Sequence, residues 1–250
     1  MANGPDYNVA YEGDNPMLEQ LLAAGAKHWE TDESSLMQNM LRTSLQETGG
    51  TLDPTTIQGS GSPGEPGRGM YQYEMNRPGQ YDEKGNEYIN QGAHTAVNRL
   101  IGLNNANDMG IKLWDKNEGQ PDWIGDLIKS NYDFSTLTGE QQSILFLADK
   151  MKDPTASFKN VTSLQDMGEE WAAEHQAGTE AGTPERTAME QKYIKNVPLF
   201  EKNMPLESEA LPFSKRLVVP ERESMMSGLL EQYKPDLSAV PASTLVNLNK

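Results

Sequence analysis

The sequence predicts a mainly α-helical domain, and three observations carry that prediction. Apolar residues recur at helical spacing, capping and stop signals bracket those runs, and the residues that break the period gather in two stretches. Met17, Leu18, Leu21, Leu22 and Ala26 mark a first helix over residues 17 to 29. A second is expected over 33 to 47, starting near the capping residue Asp32, with Leu36, Met40, Thr43 and Glu47 on one face. Gly49 and Gly50 stop it. Ala96, Val97, Leu100 and Ile101 predict a helix over 92 to 103, and Trp123, Ile124, Leu127 and Ile128 another over 121 to 131. Thr138 and Gln141 form a capping-box pattern before Ile144, Leu145, Ala148 and Met151, and Asp153-Pro154 ends that helix. Leu164, Met167, Trp171 and His175 share a face of the next. The last opens at Thr183-Pro184, a cap followed by proline at the first helical position, and Pro198 is expected to close it.

The stretches without helical period set the expected organisation. Residues 48 to 91 are rich in Gly, Pro and Asn. After Val197 the prolines at 198, 205, 212, 220, 235 and 241 forbid a continuous helix. Short apolar words such as Leu211-Pro212-Phe213 and Leu217-Val218-Val219, and an amphipathic stretch at Met225, Met226, Leu229, Leu230 and Tyr233, lie between them. Such a segment is either a disordered tail or an extended arm that docks on another protein. The expected division is an extended segment over 1–15, a helical domain over 16–197 and a proline-punctuated arm over 198–250.

Composition removes several classes of function. The chain has 250 residues, enough for one sizeable core, and no cysteine, which excludes disulfides, thiolate metal sites and a cysteine nucleophile. His28, His94 and His175 do not stand at metal-ligand spacing, so a zinc hydrolase is not expected, nor any other metal or cofactor. A formal charge of −16 without a Lys/Arg stripe opposes nucleic acid and anionic membrane as partners. No segment is long and apolar enough to span a bilayer, and Met1 to Tyr7 has neither the basic start nor the apolar run of an export signal.

The candidate catalyst is Glu47. A carboxyl on a core-facing stripe is desolvated and feels the negative end of the helix dipole, and both effects favour its protonated form near neutral pH. The alternative is a last-turn Glu turned outward into solvent. Downstream, Gly67-Arg68-Gly69-Met70-Tyr71-Gln72-Tyr73-Glu74 follows a Gly, Pro and Ser-rich loop from Gly59 to Pro66. Its glycines let backbone approach a ligand, and its amide and phenols suit sugars. Gln72, after two glycines in a loop, has little packing value and is read as a substrate contact. Tyr73 and Tyr193 divide evenly between packing and ligand binding, and Trp171 and His175 read first as core. Arg68 is expected to brace Glu74, which is either that partner or a second catalytic carboxylate.

Taken in order, these segments resemble the lytic transglycosylases of the lysozyme-like superfamily. Glu47-Thr48 stands where that family has Glu-Ser, and Gly69-Met70-Tyr71-Gln72 where it has Gly-Leu-Met-Gln. Glu174-His175-Gln176-Ala177-Gly178 stands for Ala-Tyr-Asn-Ala-Gly, and Tyr193 to Val197 for a Tyr-Val-x-x-Val helix. The segments Gly67 to Glu74, Leu137 to Gln142 and Trp171 to Gly178 look most like the divergent forms in bacteriophage virion proteins. The resemblance covers roughly residues 15 to 200.

It implies a lysozyme-like helical domain with a loop-rich or small β-like substrate lobe and an extended C-terminal arm. It also implies cleavage of the MurNAc–GlcNAc bond of peptidoglycan at the host cell wall or periplasm, by a tail-associated or ejected virion protein. Glu47 is then the catalytic acid, and Gln72, Tyr73, Gln176 and Tyr193 bind substrate. Hydrolysis of the same bond with Glu74 as second carboxylate, or an inactive structural virion protein of the same fold, are the alternatives. The implied partners are glycan strands and other virion proteins of the portal, tail or internal core, with further copies of the chain compatible with such an assembly.

Overall fold

The structure is a computed structural model that describes residues 8–9, 14–57, 67–74, 91–106, 109–115, 117–153, 156–175, 180–203 and 217–218. Local chemistry places the helix starts. The Asn15 side chain accepts from the N–H groups of Met17 and Leu18, and Pro16 fills the first position of α1, Pro16–His28. Asp32 accepts from the Ser35 N–H at 2.8 Å to open α2, Glu33–Glu47. α3 is Gln91–Asn105 and α4 is Asp122–Lys129. The Thr138–Gln141 capping box forms in both directions ahead of α5, Gly139–Lys152. α6 is Leu164–His175, and α7 opens at Pro184, where the Thr183 hydroxyl accepts from the Arg186 N–H. Named strands are limited, among the described residues, to β1 (Asn8–Val9) and β2 (Leu217–Val218). The protein is mainly α.

α2 is the central helix. Every residue from Leu36 to Gln46 is buried, polar ones included, so the expected single apolar face is only part of what it buries. α1 and α7 pack on α2, α5 joins α1 to α3, and α6 lies along α7. The main core comes from α1, α2, α3 and α5. A smaller apolar cluster of Met167, Trp171, Ala172, Tyr193 and Val197 fills the space between α6 and α7.

One helix end differs from expectation. α7 runs through Pro198 to Asn203, although proline removes an N–H and its ring crowds the carbonyl one turn back. Contacts beyond the proline offset that cost. Phe200 packs so closely on Gly50 that a Cβ there would lie 2.7 Å from the ring, and Gly50 has φ +91 besides. Glu201 is buried against Arg42 of α2 at 2.6 Å. Residues 198 to 203 therefore continue the helix, and no arm begins at Pro198.

The seven α-helices of the described residues lie in the unit Met1–Leu217; of the unit Val218–Lys250 only Val218 is described. In the expected substrate lobe, residues 48–57 and 67–74 form turns linked by the isolated antiparallel bridges Ile57↔Arg68 and Arg68↔Tyr73. The remaining loop residues 58–66 and 75–90, Gln176, and the apolar words around Pro212 and Met225 lie outside the described residues. No helix among the described residues is long and apolar enough to cross a membrane.

Candidate active site

Glu47 is the last residue of α2, so the most buried helix of the fold sets its position. Thr48 then turns the chain: its hydroxyl donates to the Ser44 carbonyl at 2.7 Å and accepts from the Leu52 N–H at 3.0 Å. The Glu47 side chain is half-buried, and Trp171 of α6 donates its indole N–H to Oε1 at 2.5 Å. Removal from water pushes the carboxyl up to about 7, against the pull of the Trp171 hydrogen bond and the ammonium groups of Lys192 and Lys150. Near neutral pH it therefore exists in both protonation states. A group that gives a proton and then takes one back needs that balance.

The opposing chemistry comes from the Gly67–Glu74 turn, which Gln142 of α5 pins in place. The buried Gln142 amide accepts from the Met70 N–H at 2.6 Å and donates to the carbonyls of Pro54, Phe134 and Leu137 at 2.9, 2.9 and 3.1 Å. Tyr71 and Tyr73 point into the core. Tyr71 stacks on Phe146 with its hydroxyl 3.2 Å from that of Ser143, and Tyr73 donates to Asp149 at 2.9 Å while stacking on Phe134. Gln72, between them, faces a cleft with φ 53. Its Nε2 donates to the Gly69 carbonyl at 2.5 Å, and its buried Oε1 has no hydrogen-bond partner among the described residues.

Gly69 is indispensable to this turn. It has φ +77, and a Cβ would meet the Gln142 amide oxygen at 2.4 Å. Gly69→Ala is expected to cost about 1–3 kcal/mol from backbone strain and the displaced amide, measured by urea unfolding. A variant as stable as the wild type would show that the turn relaxes freely.

The cleft has a volume of about 550 Å3, within the roughly 300–1,000 Å3 usual for ligand sites. Glu47, Gln72, Glu74 and Trp171 line it, with residues of α7 as a further wall. The structure thus brings Glu47, Gln72 and Glu74 together. It does not bring Tyr73, whose hydroxyl is committed to Asp149 in the core. Tyr193 is also buried, tilted against Trp171 with ring centroids 5.5 Å apart, and burial raises its phenol above the usual range. It supports Trp171 and does not line the cleft. Gln176 lies outside the described residues, as do the side chains of Glu174 and His175. Arg68 pairs with Asp133 at 3.6 Å, not with Glu74 as expected.

Trp171 is both core and site: it is almost wholly buried, yet its edge reaches Glu47. Sequence reasoning passed over Gln142 as an anchor and over Lys192, Asn196 and Phe200 as cleft residues. The α7 residues were discoverable, since Lys192, Asn196 and Phe200 recur at helical spacing once the helix is allowed past Pro198. Among the described residues no cluster of three or more His, Asp or Glu side chains is placed to hold a metal ion. No protein family, curated protein or solved structure matches the chain.

Proposed function

We propose that this protein is a lytic transglycosylase of lysozyme-like fold, carried in a phage particle and cutting the MurNAc–GlcNAc bond of peptidoglycan. The observation that carries the reading is a single half-buried carboxyl, Glu47, raised to about 7 in a cleft of ligand size. The protonated Glu47 gives its proton to the glycosidic oxygen as the bond to muramoyl C1 breaks. The resulting carboxylate takes the proton of the muramoyl C6 hydroxyl as that oxygen bonds to C1. The product is a 1,6-anhydro sugar, and no water is consumed. The indole N–H of Trp171 fixes the carboxyl's orientation through both steps. Gln72 lines the cleft, and its amide oxygen, unpartnered among the described residues, becomes an acceptor for a sugar N–H or O–H when the side chain turns outward.

The virion setting rests on the resemblance of the segments around Gly67, Leu137 and Trp171 to phage proteins. Its partners on this reading are glycan strands and neighbouring virion proteins, with the proline-punctuated chain beyond Asn203 as the docking segment.

Glu74 supports one second reading. It lines the same cleft as Glu47, so a muramidase with Glu74 activating water is the competing chemistry. Mass spectrometry of digested sacculi separates the two. Transglycosylation releases muropeptides ending in 1,6-anhydromuramic acid, lighter by one water than hydrolytic products. Reducing-end products alone would establish hydrolysis, and no released fragments would remove both.

A further inference from the structure

Met189, Lys192, Asn196 and Phe200 follow one another along α7 at three-four-four spacing and all line the cleft. The face turned inward carries Arg186, Tyr193, Val197 and Glu201, all buried. At 1.5 Å per residue the cleft-facing row is about 16 Å long. It offers a ligand an ordered series of groups: thioether, cation, amide, aromatic ring. Such a wall suits an elongated ligand better than a small compact one.

The cation is the informative member. The chain carries a net charge of −16, and the other ionisable groups that line the cleft among the described residues, Glu47 and Glu74, are both acids. Lys192 is exposed and has no salt-bridge partner among the described residues. It nevertheless lies close enough to Glu47 to pull that carboxyl's titration downward. An exposed ammonium on α7, near Glu47 and in no salt bridge among the described residues, is available to a carboxylate brought by the ligand.

We propose that Lys192 is a specificity-determining residue that selects amino-sugar chains bearing a carboxylate on the muramoyl unit seated at Glu47. The inference rests on the glycan-cleaving reading above. The carboxylate has two sources, the lactyl group of a stripped strand or the stem peptide of an intact one, and both present the same chemistry to the ammonium.

Binding is measured by titration calorimetry on the Glu47→Gln background, where substrate is not turned over and no Glu47 charge remains for Lys192 to tune. The probes are strands stripped of stems, the same strands with their carboxylates converted to amides, and intact stem-bearing strands. At low salt the protein is expected to bind a carboxylate strand about tenfold or more tightly than the amidated one. Adding Lys192→Gln should bring that ratio to about one, and Lys192→Arg should restore it. A preference confined to intact strands assigns the stem carboxylate as the source; one seen on stripped strands assigns the lactyl group. Equal binding of neutral and anionic strands, or a preference unchanged by Lys192→Gln, overturns the proposal. If the preference holds while the wild-type protein releases no glycan fragments, the cleaving reading fails and the role of Lys192 stands.

Discussion

Glu47→Gln should abolish glycan cleavage, by at least about a hundredfold, and should at the same time stabilise the protein at alkaline pH. The amide keeps the shape of the side chain and an oxygen for the Trp171 indole, but it has no proton to give. The stability effect follows from linkage. In the folded protein the carboxyl is raised to about 7 from an ordinary 4.5. Between those values the folded chain holds a proton that the unfolded chain has already released. Stability from this group is therefore complete below about pH 4.5, declines as pH rises, and is lost above about pH 7. Glutamine carries no such pH-dependent cost. The two proteins should melt together near pH 4 and diverge above it, the variant gaining about 2 kcal/mol by pH 8.5 once partial exposure is discounted. Zymography and thermal unfolding at several pH values measure both halves. Cleavage within a few-fold of wild type would remove Glu47 from the mechanism. Identical melting at every pH would show a solvated carboxyl.

What was legible in the chain was mostly local. Asp32 with Gly49-Gly50 bounds α2, and the Thr138–Gln141 box opens α5, because capping is a contact between residues a few positions apart. Glu47 was legible for a related reason, since its place on the stripe of α2 follows from spacing alone. The full burial of α2 was not, because Gln38, Asn39 and Gln46 are polar side chains off the Leu36–Glu47 stripe, and only neighbouring helices make them interior. Tyr73 and Tyr193 carry the same ambiguity. A tyrosine suits a sugar and a core equally well, and the Asp149 and Trp171 contacts that decide between them come from distant sequence. Pro198 is the clearest case of a local rule overruled, by a buried pair joining residues 42 and 201.

Breaking that pair should be among the most destabilising single changes outside the apolar core. Removing Glu201, as in Glu201→Ala, is expected to cost about 3–5 kcal/mol, because it strands a buried guanidinium. The side chains of Arg42 and Glu201 are only 3% and 1% exposed. Besides Glu201, the Arg42 guanidinium donates to the Met167 sulfur at 3.3 Å, a weak acceptor that cannot replace a carboxylate. Burial raises the Glu201 carboxyl and Arg42 opposes the shift, so the charged pair is maintained against desolvation by its own attraction. The double variant Arg42→Met/Glu201→Leu should recover much of the loss, since apolar groups of similar volume avoid the desolvation cost altogether. Truncation supplies an independent measure. A chain ending at Val197 loses both Phe200 and Glu201 and should unfold at much lower urea than one ending at Asn203, which retains the seven described helices intact. A Glu201→Ala cost below about 1 kcal/mol would mean that water reaches Arg42. Equal stability of the two truncations would show that the turn beyond Pro198 is carried by the helix without holding it.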